Sequence, residues 1–180
     1  MKRTLALLAL LLVAPGTALA QGARLELGRL DRLAEIADDA VNITIDPAML
    51  KIAIPFLKND GQNQEAAKQL LSALRGIYIR SFEFDRENAY TTNDLEAIRK
   101  QLAAPGWSRI VSVDSKRDRE LVEIYSWQEG GQSGGLAIVV AEPMELTIVN
   151  IVGPIDLSKL PLLQGQFGIP NVFGTTSGRE

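Results

Sequence analysis

The 180-residue chain contains no histidine and no cysteine. Without imidazole there is no base that titrates near neutrality, which excludes the Ser-His-Asp and Cys-His nucleophile systems. Zinc and most transition-metal sites depend on imidazole or thiolate and are excluded with them. Without thiols no disulfide can staple the fold. No Ser-x-x-Lys occurs either. Carboxylate pairs, lysine and tyrosine are the chemistry that remains, and no cofactor is expected.

The first residues, MKRTLALLALLLVAPGTALAQGA, have the three parts of a secretory leader. Lys2 and Arg3 form a charged start, Leu5 to Val13 an apolar run, and Ala18-Leu19-Ala20 a small-x-small cleavage site. The run is too short to span a bilayer, which takes about 20 apolar residues, and Pro15-Gly16 interrupts it. The expectation is a leader over 1–20, a mature chain from near Gln21, and export to the periplasm. The mature chain would keep 17 basic and 22 acidic residues, a net charge of −5. That balance disfavours nucleic acid and anionic membrane surfaces as partners. The 46% hydrophobic content is enough for a core without staples.

Residues 25–40 and the one that follows carry Leu27, Leu30, Leu33, Ala37 and Val41 at three-to-four spacing, which predicts an amphipathic helix over 25–40. VNITID alternates as a half-buried strand, and Asp46-Pro47 caps a short helix that Pro55 stops. After the polar loop KNDGQNQ, QEAAKQLLSALRG predicts a helix with Ala67, Leu70, Leu71 and Leu74 inward and Gly76 as its stop. IYIRSFEFD reads as a strand, and TTNDLEAIRKQLAAPG as a helix with Thr or Asn at its cap. From Trp107 the period changes to two. WSRIVSVDS, ELVEIYSWQ, GLAIVVAE and MELTIVNIVG predict four strands, antiparallel because their connectors are short. IDLSKLPLLQGQF predicts a last helical turn. The expected fold class is α+β: one domain over 21–173, a mixed but mainly antiparallel sheet with helices packed on one face, and a flexible tail over 174–180.

Few residues suggest a site. DSKRDRE, with three cations and no glycine, fits a solvated turn and not a calcium loop. QEGGQSGG lies between two strands and lacks the Gly-Lys-Ser/Thr ending of a phosphate loop, so it reads as a hairpin connection. Tyr125 and Trp127 share a strand face, as do Phe82 and Phe84. Such pairs could form a stacking platform for carbohydrate or peptide, although core packing is the commoner role. A turn at Glu142-Pro143-Met144-Glu145 would leave both glutamates in water, where nothing tunes them for acid catalysis. That turn would also pair Ala137 with Asn150 and give both hairpin faces apolar residues, so that both are covered. Asn150 is then a buried amide, expected to bond a neighbouring loop or to sit on an open edge. Asn150, Tyr125 and Trp127 are the candidates for contact with a ligand or partner; no catalytic or metal residue is expected.

The leader, the strand running into DPAML, LLSALRGIYIRSFEF and AEPMELTIVNIVGPIDLSKL together resemble a small exported bacterial family catalogued as domain of unknown function 4252, from about Leu27 to Phe173. The resemblance implies an envelope protein, periplasmic in a Gram-negative-type cell, and brings no activity, cofactor or catalytic residue with it. The leading functional expectation is a non-enzymatic binding or regulatory module that contacts another envelope protein or a small ligand. The alternatives are a carboxylate-based hydrolase or isomerase, which needs two buried acids converging in a pocket, and a structural envelope component.

Overall fold

The computed structural model describes residues 22–53 and 63–156. Its frame is a six-stranded sheet in the order β1-β2-β6-β5-β4-β3. The strands are β1 (Asp39–Ile45), β2 (Gly76–Glu83), β3 (Trp107–Ser115), β4 (Glu120–Glu129), β5 (Gln132–Glu142) and β6 (Glu145–Val152). Every ladder is antiparallel, so the expected admixture of parallel strands is absent among the described residues. The last four strands form consecutive hairpins, as the change of period indicates. Gly130 and Gly131, both at positive φ, make the tight turn between β4 and β5, a geometry that hairpins favour and side chains resist.

The register of the β5–β6 hairpin pairs Ala137 with Asn150 and Ala141 with Leu146, as the Pro143 turn predicts. One face of the sheet then presents Ile77, Ile79, Ile124, Ile138, Val149 and Ile151. Over it lie α1 (Pro47–Ala53), through Leu50, and α2 (Asn63–Ala73), through Leu70 and Leu71. The opposite face presents Tyr78, Phe82, Tyr125, Val139, Leu146 and Ile148. It is covered by α3 (Thr92–Leu102), through Ile98 and Leu102, and by the chain from Ala23 to Leu33. The helices therefore pack on both faces, not one. The physical reason lies in the central strands: near-continuous apolar runs such as GLAIVVA leave two apolar faces, and each must be kept from water.

Local differences have local causes. The helix expected over 25–40 is a 3-10 segment, Gly28–Glu35, preceded by irregular chain. Leu27, Leu30 and Leu33, all buried, recur every third residue, which suits the three-residue turn of a 3-10 helix. Val41, which fits both that helical spacing and the VNITID strand, lies in the strand, β1, and is exposed rather than half-buried. Gly76 does not end α2; it opens β2. Asp46 does cap α1, its Oδ1 accepting from the N–H groups of Ala48 and Met49 at 2.8 Å each. Pro55, residues 58–62 of the KNDGQNQ loop, residues 157–167 of IDLSKLPLLQGQF and the 174–180 tail lie outside the described residues, while Asn63 and Gln64, expected in that loop, open α2.

Candidate functional site

Across the face covered by α3, the ladders align Arg109, Tyr125, Ala137, Asn150 and Tyr78 in one row. The row has two different ends. At the β3–β4 end it opens into a cleft of about 570 Å³ lined by Arg99, Leu102, Ala103, Arg109, Glu123 and Tyr125. Toward β6 it is closed by the irregular segment that precedes the 3-10 turn, which Asn150 bonds at Ala23 and Leu25.

Glu123 anchors the open end. It is a strand residue on the same face as Tyr125 and is only 2% exposed. A buried carboxylate must be paired or lose its charge, and this one is paired twice. Arg99 of α3 donates from Nε to Oε2 at 3.1 Å, and Arg109 of β3 donates from Nη1 to Oε1 at 2.8 Å. Both arginines reach solvent, at 30% and 51% exposure, so two cations line the cleft around a carboxylate that is itself nearly inaccessible. Burial disfavours the charge on Arg99, but its bonds to Glu123 and Glu96 outweigh that and hold it firmly protonated. The Tyr125 phenol is pushed above its usual range, first by burial and then by the Glu123 charge, against an opposing pull from Arg109. It is thus a neutral hydroxyl at physiological pH. The cleft offers guanidinium donors, a phenol and the apolar sides of Leu102 and Ala103. That combination suits a group carrying negative charge beside an apolar stem.

Asn150, fully buried, is used within the fold. Its Oδ1 accepts from Leu25 N–H at 2.8 Å, and its Nδ2 donates to the carbonyls of Ala23 at 2.9 Å and Leu136 at 3.1 Å. Gln101 of α3 grips the same segment, donating to the Glu26 carbonyl and accepting from the Glu26 N–H. Small residues let the segment lie so close: Ala137 sits in the row, and a Cβ at Gly135 would come within 2.4 Å of the Ala23 Cβ. The neighbouring-loop alternative for Asn150 therefore holds, with the segment from Ala23 to Leu25 as the loop.

Tyr125 lines the cleft, whereas Trp127 packs edge-to-face against Trp107 at 5.5 Å and borders a separate cleft with Arg24, Arg75 and Gln128. Phe82 and Phe84 stack within the core. Glu142 and Glu145 are half-buried, not fully solvated as expected. The hairpin tip is held from the side, because Tyr90 donates its hydroxyl to the Glu142 carbonyl and Phe84 its N–H to the Met144 carbonyl. DSKRDRE forms a turn in which Asp118 accepts from Ser115 Oγ at 2.7 Å and Arg119 pairs with Glu87.

Sequence reasoning missed Glu123, Arg99 and Arg109. One signal was present: Glu123 interrupts the apolar face that Tyr125 and Trp127 continue. The other buried acid, Asp94, is held elsewhere, by Arg32 and Thr91. Among the described residues no hydrogen bond or ion pair joins it to Glu123, and the two acids have separate partners, so they do not form the converging pair that carboxylate hydrolysis requires.

The model of the family described as Domain of unknown function (DUF4252) matches residues 35–163, and the chain belongs to that family. The match includes Arg99, Arg109, Glu123, Tyr125 and Asn150. It begins after the segment that Asn150 and Gln101 hold. No curated protein and no solved structure matches the chain.

Proposed function

We propose that the protein is an exported, non-enzymatic binding module of the cell envelope, and that it holds a carboxylate-bearing ligand in the Arg99–Arg109–Tyr125 cleft. One observation carries the ligand reading. Glu123 spends one oxygen on each arginine and fixes both guanidiniums at the cleft wall, where they stay partly exposed. Held in place in advance, they lose little side-chain freedom on binding. Export is supported by the leader pattern at residues 1–20. It is tested by cell fractionation with N-terminal sequencing: periplasmic protein starting near Gln21 is expected, and cytoplasmic protein with the leader intact would exclude it.

The ligand reading is tested by following the Arg Nε nitrogen signals while titrating short dicarboxylates and peptides with free C-termini. Saturable shifts at Arg99 and Arg109 are expected, with affinity about tenfold weaker in Arg109→Ala. Tyr125→Phe is expected to weaken binding less, since it removes a neutral donor only. Silence of both arginines up to about 10 mM, weaker than any useful affinity, would overturn the reading.

A further inference from the structure

β3 is an edge strand of nine residues, and among the described residues nothing pairs with its outer side. Such edges are normally protected by proline, by charged side chains, by bulges or by short length; Trp107–Ser115 has no proline or lysine, and its charges, Arg109 and Asp114, stand toward its two ends. Ile110, Val111 and Val113 are 47%, 37% and 49% exposed along it. Its one irregularity is a register shift between Arg109 and Val111, which leaves Ile110 as the extra residue of a bulge.

We propose that β3 pairs antiparallel with β3 of a second copy, around a twofold axis at Ser112. The sequence of the strand is self-complementary in that register. Val111 comes opposite Val113 of the partner subunit on the face that Val122 and Ile124 share. The bulge absorbs Ile110, so Arg109 comes opposite the partner subunit's Asp114 on the other face, joining opposite charges across the junction. A twofold perpendicular to the sheet keeps each residue on its own face, so one twelve-stranded sheet results with both Arg109 clefts opening on the same side. Nine residues per copy is below the 20–30 a side of a standard interface, so a micromolar dimer is expected, not a nanomolar one. The opposite edge is less suited: β1 exposes Val41 as its only large apolar side chain. The pairing shares Arg109 with the ligand reading, but association is measured without ligand, so the failure of one is distinguishable from the failure of the other.

Sedimentation equilibrium of the mature chain tests it. Twice the chain mass is expected at about 100 µM, with dissociation on dilution to about 1 µM. Val113→Lys and Asp114→Arg should each weaken association at least about tenfold, whereas Val41→Lys should leave it unchanged. Circular dichroism and melting confirm that these exposed-site variants fold. A wild-type monomer at all concentrations overturns the proposal and leaves the edge to a different chain. A dimer that resists both β3 variants, or that fails in Val41→Lys, overturns it too. A dimer lost in Val113→Lys but kept in Asp114→Arg overturns the Ser112 register.

Discussion

A side chain with three hydrogen bonds and no solvent contact is costly to replace, and Asn150 is such a side chain. Asn150→Leu keeps the volume but strands the Leu25 N–H and the Ala23 carbonyl against an apolar neighbour. Each buried group left without its partner costs about 1–3 kcal/mol. A loss of about 2–3 kcal/mol is expected, less than the full sum because the segment can lift into water. Urea unfolding measures that loss. Hydrogen exchange at Leu25 is the decisive readout: if its amide stays as protected as in the parent, Asn150 is not what holds the segment. The oddity of Asn150 inside an apolar strand is visible in the sequence. Its partner is not, because Leu25 lies 125 positions away and no periodicity connects them. Glu123 is a similar case, since its two arginines come from a helix and from another strand.

Among the elements, α3 is the most legible. Thr91 precedes it, an acid stands three residues later, and Pro105-Gly106 follows its end; these are stop and start signals that act within a few residues. The structure gives the acid two tasks. Asp94 Oδ2 accepts from both the N–H and the hydroxyl of Thr91 at 2.8 Å, and Oδ1 accepts from Arg32 of the 3-10 segment. Burial pushes the Asp94 carboxyl up, but the Thr91 bonds and the Arg32 charge more than offset this and hold it below the usual Asp value. A depressed folded-state pKa contributes stability that is present above the unfolded value, about 3.9, and is lost as pH falls toward the folded one. The protein should therefore weaken as pH drops below about 4. In Asp94→Asn that dependence should flatten, while stability at neutral pH falls by about 1 kcal/mol through the weakened cap. Chemical denaturation of both proteins between neutral and acid pH checks this. Equal acid slopes would show that Asp94 does not carry the effect. The 3-10 segment is the less legible element. Its leucines fit a three-residue period as well as the helical one, and only the sheet beneath selects between them.

The whole molecule is a sheet with apolar covering on both sides, and this arrangement was only half legible. That both faces of the β5–β6 hairpin need cover follows from its residues. Which helix covers which face depends on the route of the chain: α1 and α2 return over one face between neighbouring strands, while α3 carries the chain across the other from β2 to the far edge. Neither choice has a signal in local sequence. The layout nonetheless fixes a gradient of local stability. β6 lies between β2 and β5, and its residues from Leu146 to Ile151 are all buried, so its amides open only when the covering on both faces and both neighbours is lost. Among the described residues β1 and β3 have a single neighbour each, and β3 shows mostly exposed side chains. Hydrogen exchange on dilute protein, below the concentration at which copies associate, should therefore find β6 and β5 at the global unfolding limit, with β1 and the outward amides of β3 exchanging at least about 100-fold faster. Raising the concentration should slow β3 and leave β1 unchanged, because only β3 gains a neighbour. If β1 and β3 exchange as slowly as β6 in the dilute monomer, both edges are covered and the open-edged sheet is the wrong description of the molecule.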